Sequence, residues 1–240
     1  MKKAFLLFLL SSTFSFLLIA FYNNKRSQLV NKENINNLEN IVPDSITPIC
    51  SRNFYTKKNK SHNDIKELNI IIPESRKWSK NLFNAFREAS KINKFNKVSN
   101  IIDEKYKKRF NAYIYLVKQN NEKCRLPAKI RISGDWNDHI QNRNNEIVSS
   151  LDVHLKKGNI NGITKFKLFL PSTRNGSSEV LVSLLMKELG YLSPRSFILK
   201  VNLNNQSYPM IFQEKATKEM LEHNNLRESA IIGSDESLIW

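Results

Sequence analysis

From Phe110 onward the chain switches to a period of two, and this switch constrains the fold more than any other feature of the sequence. Phe110 to Lys118 alternates β-branched, aromatic and polar residues, the pattern of a strand with one buried face. Asn120-Asn121 reads as a hairpin turn, and a second strand follows from Ala128 to Ser133, closed by Gly134-Asp135. A third runs from Ser150 to Leu155 and a fourth from Phe166 to Leu170, with Gly158 and Gly162 marking the turn between. Ser177 or Ser178 caps a helix from Glu179 to Leu189, and Gly190 stops it. Phe197 to Leu203 and Tyr208 to Gln213 form a last strand pair around Asn204-Asn205, and a short helix runs from near Lys215 to about Arg227. The fold expected from this order is α+β, a mostly antiparallel sheet with packed helices.

Upstream, Pro73-Glu74-Ser75 marks a helix start. Trp78, Leu82, Phe86, Ala89 and Phe95 then recur at helical spacing, with Lys and Arg between them, so the stripe packs on the domain or lies on a membrane. The formal charge of +16 concentrates here: residues 74–131 carry sixteen basic and five acidic side chains, whereas residues 132–240 carry twelve of each. Such a segment suits an acidic protein substrate or an anionic lipid. Nucleic acid is set aside, because no reading motif accompanies the charge.

Residues 23–72 are polar and read as a tether. Ala4 to Tyr22 contains no charge and would span about 28 Å as a helix. It reads as a transmembrane anchor or signal segment, with a cytoplasmic amino terminus and an extracytoplasmic body. Cys50 and Cys124 cannot make a zinc site alone, but they can pair as a disulfide outside the cytoplasm. The expected organisation is therefore an anchor over 1–22, a tether over 23–72, a basic helix and first strand over 73–123, and a domain over 124–240.

Four pieces of that last region, in order, resemble the spore-coat kinase-like (CotH-type) family. They are Lys129-Ile-Arg-Ile-Ser-Gly134-Asp-Trp136; Leu151-Asp-Val-His-Leu155 with Gly162-Ile-Thr-Lys-Phe-Lys-Leu-Phe-Leu170; Leu185-Met-Lys-Glu-Leu-Gly190-Tyr-Leu-Ser-Pro-Arg195; and Asn202 to Asn205 with Ile211-Phe-Gln-Glu214-Lys. The resemblance covers about Cys124 to Glu228 and implies the amino-terminal lobe of an atypical protein kinase that uses ATP and Mg. Where the family carries a basic residue, this chain reads Asp152-Val153-His154. The family's catalytic and metal-binding aspartates belong to a second lobe that these pieces do not include. The apolar stop at Leu238-Ile239-Trp240 reads as an interrupted domain, a fragment inactive alone.

Phosphoryl transfer needs cations for the phosphates and carboxylates for the metal or for orienting a lysine. Lys129 and Arg131 alternate along one strand, as do Lys165 and Lys167 along another, so each pair projects from one sheet face. Glu214 is placed to pair with one of them, and Gly134 to let backbone amides approach a phosphate. Lys129, Arg131, Lys167 and Glu214 are thus the candidate cofactor-binding residues. No P-loop, nucleophile elbow, zinc-protease helix or dinucleotide fingerprint is present. His139 and His154 have no spaced metal partners and read as structural. The rival expectation is a non-catalytic envelope protein that uses the sheet as a binding surface.

Overall fold

The alternating residues form the wall of a closed barrel. The computed structural model describes residues 48–50, 65–91, 100–143, 146–204 and 206–232. In chain order the strands are β1 (Ile65–Ile71), β2 (Phe110–Lys118), β3 (Lys123–Ile132), β4 (Ile140–Arg143), β5 (Glu146–Ser149), β6 (Leu151–Leu155), β7 (Lys165–Phe169), β8 (Ser196–Leu203) and β9 (Gln206–Glu214). The helices are α1 (Ser75–Ala89), α2 (Ser178–Glu188) and α3 (Lys218–His223). Seven strands close in the order β1-β2-β3-β6-β7-β9-β8, while β4 and β5 form a separate two-stranded sheet.

Every barrel neighbour is antiparallel except the closing pair, β1 with β8, which is parallel. Inward residues fill the interior: Leu68 and Ile70 from β1, Ile114 and Leu116 from β2, Leu126 and Ile130 from β3, Val153 from β6, Phe166 from β7, Val201 from β8 and Phe212 from β9. Phe212 stacks on Phe166 at 4.4 Å and on Phe197 at 4.6 Å between ring centroids. This aromatic column gives the core much of its apolar area.

α1 forms where the Trp78–Leu82–Phe86–Ala89 spacing requires it, beginning at Ser75 after an N-cap at Glu74. Trp78, Leu82, Ala85 and Ala89 join the core, with Trp78 edge-on to Phe110 at 5.3 Å. The stripe therefore packs on the domain; Phe95 lies outside the described residues. Several turns use asparagine in the left-handed region, among them Asn121 between β2 and β3 (φ 63°) and Asn204 after β8 (φ 45°). Asparagine tolerates that region better than other non-glycine residues.

Cys50 and Cys124 form a disulfide across a sequence separation of 74. The approach is local and specific: Cys50 N donates to Arg125 O at 3.1 Å, and Arg125 N donates to Pro48 O at 2.8 Å.

Two expectations are corrected. The fold is mostly β, not an α+β sheet covered by helices, and a closed barrel is not the first lobe of a kinase. The physical reason is closure. Once β1 meets β8, the sheet's own side chains fill its inner face, and α1 is the one described helix that adds residues to that core. The second correction concerns the membrane anchor: no helix among the described residues is long and apolar enough to cross a membrane. Ala4 to Tyr22, on which that expectation rested, lies outside the described residues.

The bridge closes a long loop, for which the chain-entropy model gives roughly 4 kcal/mol. Replacing both cysteines by serine should lower the unfolding free energy measured in urea by up to that amount, and the midpoint with it. A parent protein treated with reductant should shift by the same amount, and an unchanged midpoint in either case would show that the pairing contributes nothing.

Candidate anion-binding face

Asp152 is the hub of the outer barrel face. Leu151 and Val153 point into the core, so Asp152 and His154 point outward, yet Asp152 is only 1% exposed because cations cover it. Arg131 Nε donates to its Oδ2 at 2.9 Å and Arg109 Nη2 donates to the same oxygen at 3.0 Å. Lys215 Nζ stands 3.6 Å from Oδ1. Burial pushes this carboxyl's pKa up, but Lys215, the Arg131 hydrogen bond and Arg109 outweigh it, and Asp152 stays below its ordinary value.

The strand register sets further cations around the hub. Arg131 and Lys167 lie opposite Asp152 on the two flanking strands, and Lys129 and Lys165 lie opposite His154 in the same way. Adjacent strands are about 4.8 Å apart, so these side chains share one face. Lys167 Nζ sits 5.5 Å from the Phe169 ring centroid, and the Arg174 guanidinium sits 4.2 Å from that same ring. Burial and then the Lys215 charge push the Lys167 ammonium below its ordinary value, against the pull of Asp152. Among the described residues Lys129, Lys165, Lys167 and Arg174 have no ion pair.

His154 adds no charge here. Its Nε2 accepts from Arg109 Nη2 at 3.1 Å, so that nitrogen is unprotonated, and its 3.4 Å approach to Asp152 is not a salt bridge. Burial lowers its pKa, opposed by Asp152. His139 is buried, with Nδ1 3.0 Å from Ser150 Oγ. Its pKa falls below the ordinary value chiefly through burial.

The candidates inferred from sequence therefore separate. Lys129, Arg131 and Lys167 come together on the outer face. Glu214 does not join them: it lies opposite Phe166, on the inward parity of β9, and is buried. Arg195 holds it with two near-parallel bonds, Nε to Oε2 at 2.8 Å and Nη2 to Oε1 at 2.7 Å, while Arg195 Nη1 donates to Asn161 O at 2.6 Å. Gly134 (φ 93°) does not open onto a phosphate either. A Cβ there would lie 2.0 Å from the His139 ring, so the glycine makes room for that imidazole. Sequence reasoning missed Arg109, Asp152, Arg174 and Lys215. The one available signal was an acid at an outward strand position flanked on both sides by basic strands.

ATP and Mg came with the family resemblance. The cations suit phosphate oxygens, but Asp152 is ringed by Arg109, Arg131 and Lys215, and no group of three His, Cys, Asp or Glu side chains among the described residues is placed to hold a metal. A groove of about 320 Å³ beside α1, lined by Lys77, Lys80, Asn81, Lys105, Tyr106 and Lys108, is a second basic surface. Four of its members are already engaged: Lys105 pairs with Glu88 at 2.9 Å, Tyr106 donates to the same carboxylate, Lys77 pairs with Glu74, and Asn81 donates to Tyr106 O at 2.8 Å.

Removing Arg195 alone strands a buried carboxylate. Arg195→Ala should cost about 3–5 kcal/mol in urea denaturation, and pairing Arg195→Met with Glu214→Leu should recover most of it. Near-additive losses in the double variant would contradict a self-contained pair. Acid should also weaken the fold. For both histidines the folded pKa lies below the unfolded one, so stability is complete above about 6.5 and falls as the unfolded state gains protons below it. His139→Gln should flatten that slope in melts taken at several pH values; an unchanged slope would remove His139 from the effect.

No family model matches the chain, and comparison with curated proteins finds no match.

Proposed function

We propose that the outer face of β3, β6 and β7 binds an acidic segment of another protein, and that the chain is a non-catalytic binding module. The observation that carries this is the set of cations on this face that make no ion pair among the described residues: Lys129, Lys165, Lys167 and Arg174. Folding does not favour such crowding. Like charges held together repel, and Lys167 is partly desolvated as well, which its lowered pKa records. An acidic ligand relieves both costs.

The geometry suits an extended chain. Alternate outward residues along a strand are roughly 6.5–7 Å apart, which is also the spacing of alternate carboxylates in an extended acidic peptide. Arg131 spends Nε on Asp152 and keeps its remaining donors for a ligand. Asp152 serves as the internal counter-ion that fixes the guanidinium planes, and the ligand meets cations already oriented.

A fluorescent acidic peptide titrated with the protein tests this by anisotropy. Affinity should fall about tenfold or more between about 50 and 200 mM salt. It should fall by a similar factor in the Lys129→Glu, Lys165→Glu double variant, whose melting temperature should not drop. Lys167→Met should bind more weakly and melt higher, because it removes a desolvated charge. Absent binding, or binding indifferent to salt and to these variants, would sink the proposal. Calorimetry with Mg-ATP is the control, since nucleotide phosphates would meet the same cations. Tighter binding of Mg-ATP than of the peptide would favour a nucleotide ligand instead.

A further inference from the structure

α2 is built the wrong way round for a helix on a barrel. Of its residues Ser178–Glu188 only Ser183 is buried, and it packs beside β8. Leu181, Leu184 and Leu185 face solvent, with Leu181 61% exposed. The exposed apolar surface continues past the Gly190 cap (φ 84°) through Leu189, 68% exposed, and Tyr191, and Ile198 on β8 is also exposed. A helix that is apolar all round is ordinarily buried. With Val182, Met186 and Leu192, which are exposed as well, the surface amounts to roughly 1,000 Å², taking about 200 Å² for a fully exposed large side chain. That exceeds the few hundred Å² of the largest patch on a typical monomer.

We infer that α2 and the Leu189–Leu192 segment are the contact surface of a symmetric dimer formed by two copies of this chain. This goes beyond the acidic-ligand reading and is independent of it. Two observations select a second copy. The area matches the roughly 800 Å² per partner of a stable specific interface. The charge also fits: the chain carries +16, whereas α2 carries only Glu179, Lys187 and Glu188. Two strongly basic molecules repel wherever their cationic faces meet, and this nearly neutral patch is a place where they can approach. A two-fold axis through it buries the same residues on both copies and closes the contact at two molecules.

Analytical ultracentrifugation of the full chain across a concentration series reads the result directly. The parent should sediment as a dimer that dissociates on dilution. Leu185→Glu should sediment as a monomer with an unchanged melting temperature, and Leu189→Lys should repeat the effect should the first variant melt lower. A parent monomeric at every concentration would overturn the inference. So would a dimer that survives both substitutions, or open assemblies larger than a dimer.

Discussion

The parallel pairing of β1 with β8 turns a sheet into a barrel. It joins strands far apart in sequence, with Asn69 opposite Asn202, 133 positions further on. Its two faces are chemically distinct. Leu68, Ile70, Val201 and Leu203 line the inside, while Glu67 meets Lys200 at 3.3 Å on the outside. The seam runs on into the β8–β9 turn, where Asn204 N donates to Ile70 O and its side-chain oxygen accepts from Ile72 N, both at 3.0 Å. Without these contacts β1 and β8 would be open edges, each a row of unpaired backbone groups. The phenylalanine column, the α1 packing and the outer cationic face all presuppose that the wall is closed.

Closure is also what the sequence conceals. Six barrel strands are legible as alternating runs, and turns join three of their pairs, β2-β3, β6-β7 and β8-β9, but the β3-β6 and β7-β9 contacts follow from no turn. β1 is not legible: Ile65-Lys66-Glu67-Leu68-Asn69 alternates only weakly and leads into Ile70-Ile71-Ile72, so it passes for the end of a polar stretch. A parallel partner that far away leaves no local mark. The frequent asparagines, easily ascribed to compositional bias, include six in left-handed turns and so carry structural information.

The candidate face was half legible for a related reason. Alternation alone puts Lys129 and Arg131 on one side of a strand, and Lys165 and Lys167 on one side of another. It does not say which strands are neighbours, so the convergence on Asp152 is invisible before β3, β6 and β7 are paired. Parity could have excluded Glu214 from that face, since it shares its side of β9 with Met210 and Phe212. The two acids illustrate one rule with opposite results. Arg195 satisfies Glu214 completely and closes it off, whereas Asp152 is surrounded by more positive charge than it can neutralise. An inward ion pair of the first kind holds a loop in place, and an outward cluster of the second kind leaves charge for something else.

The bridge between Cys50 and Cys124 encloses β1, α1 and β2 within a covalent ring. Inside such a ring, one broken peptide bond does not divide the molecule. A protease that cut the backbone once anywhere between the two cysteines would leave every atom attached, and β1 would stay tethered near the seam it closes. The amino-terminal side of the barrel thus tolerates a nick, while a cut in the unbridged stretch after Cys124 would leave two pieces held by noncovalent contacts alone.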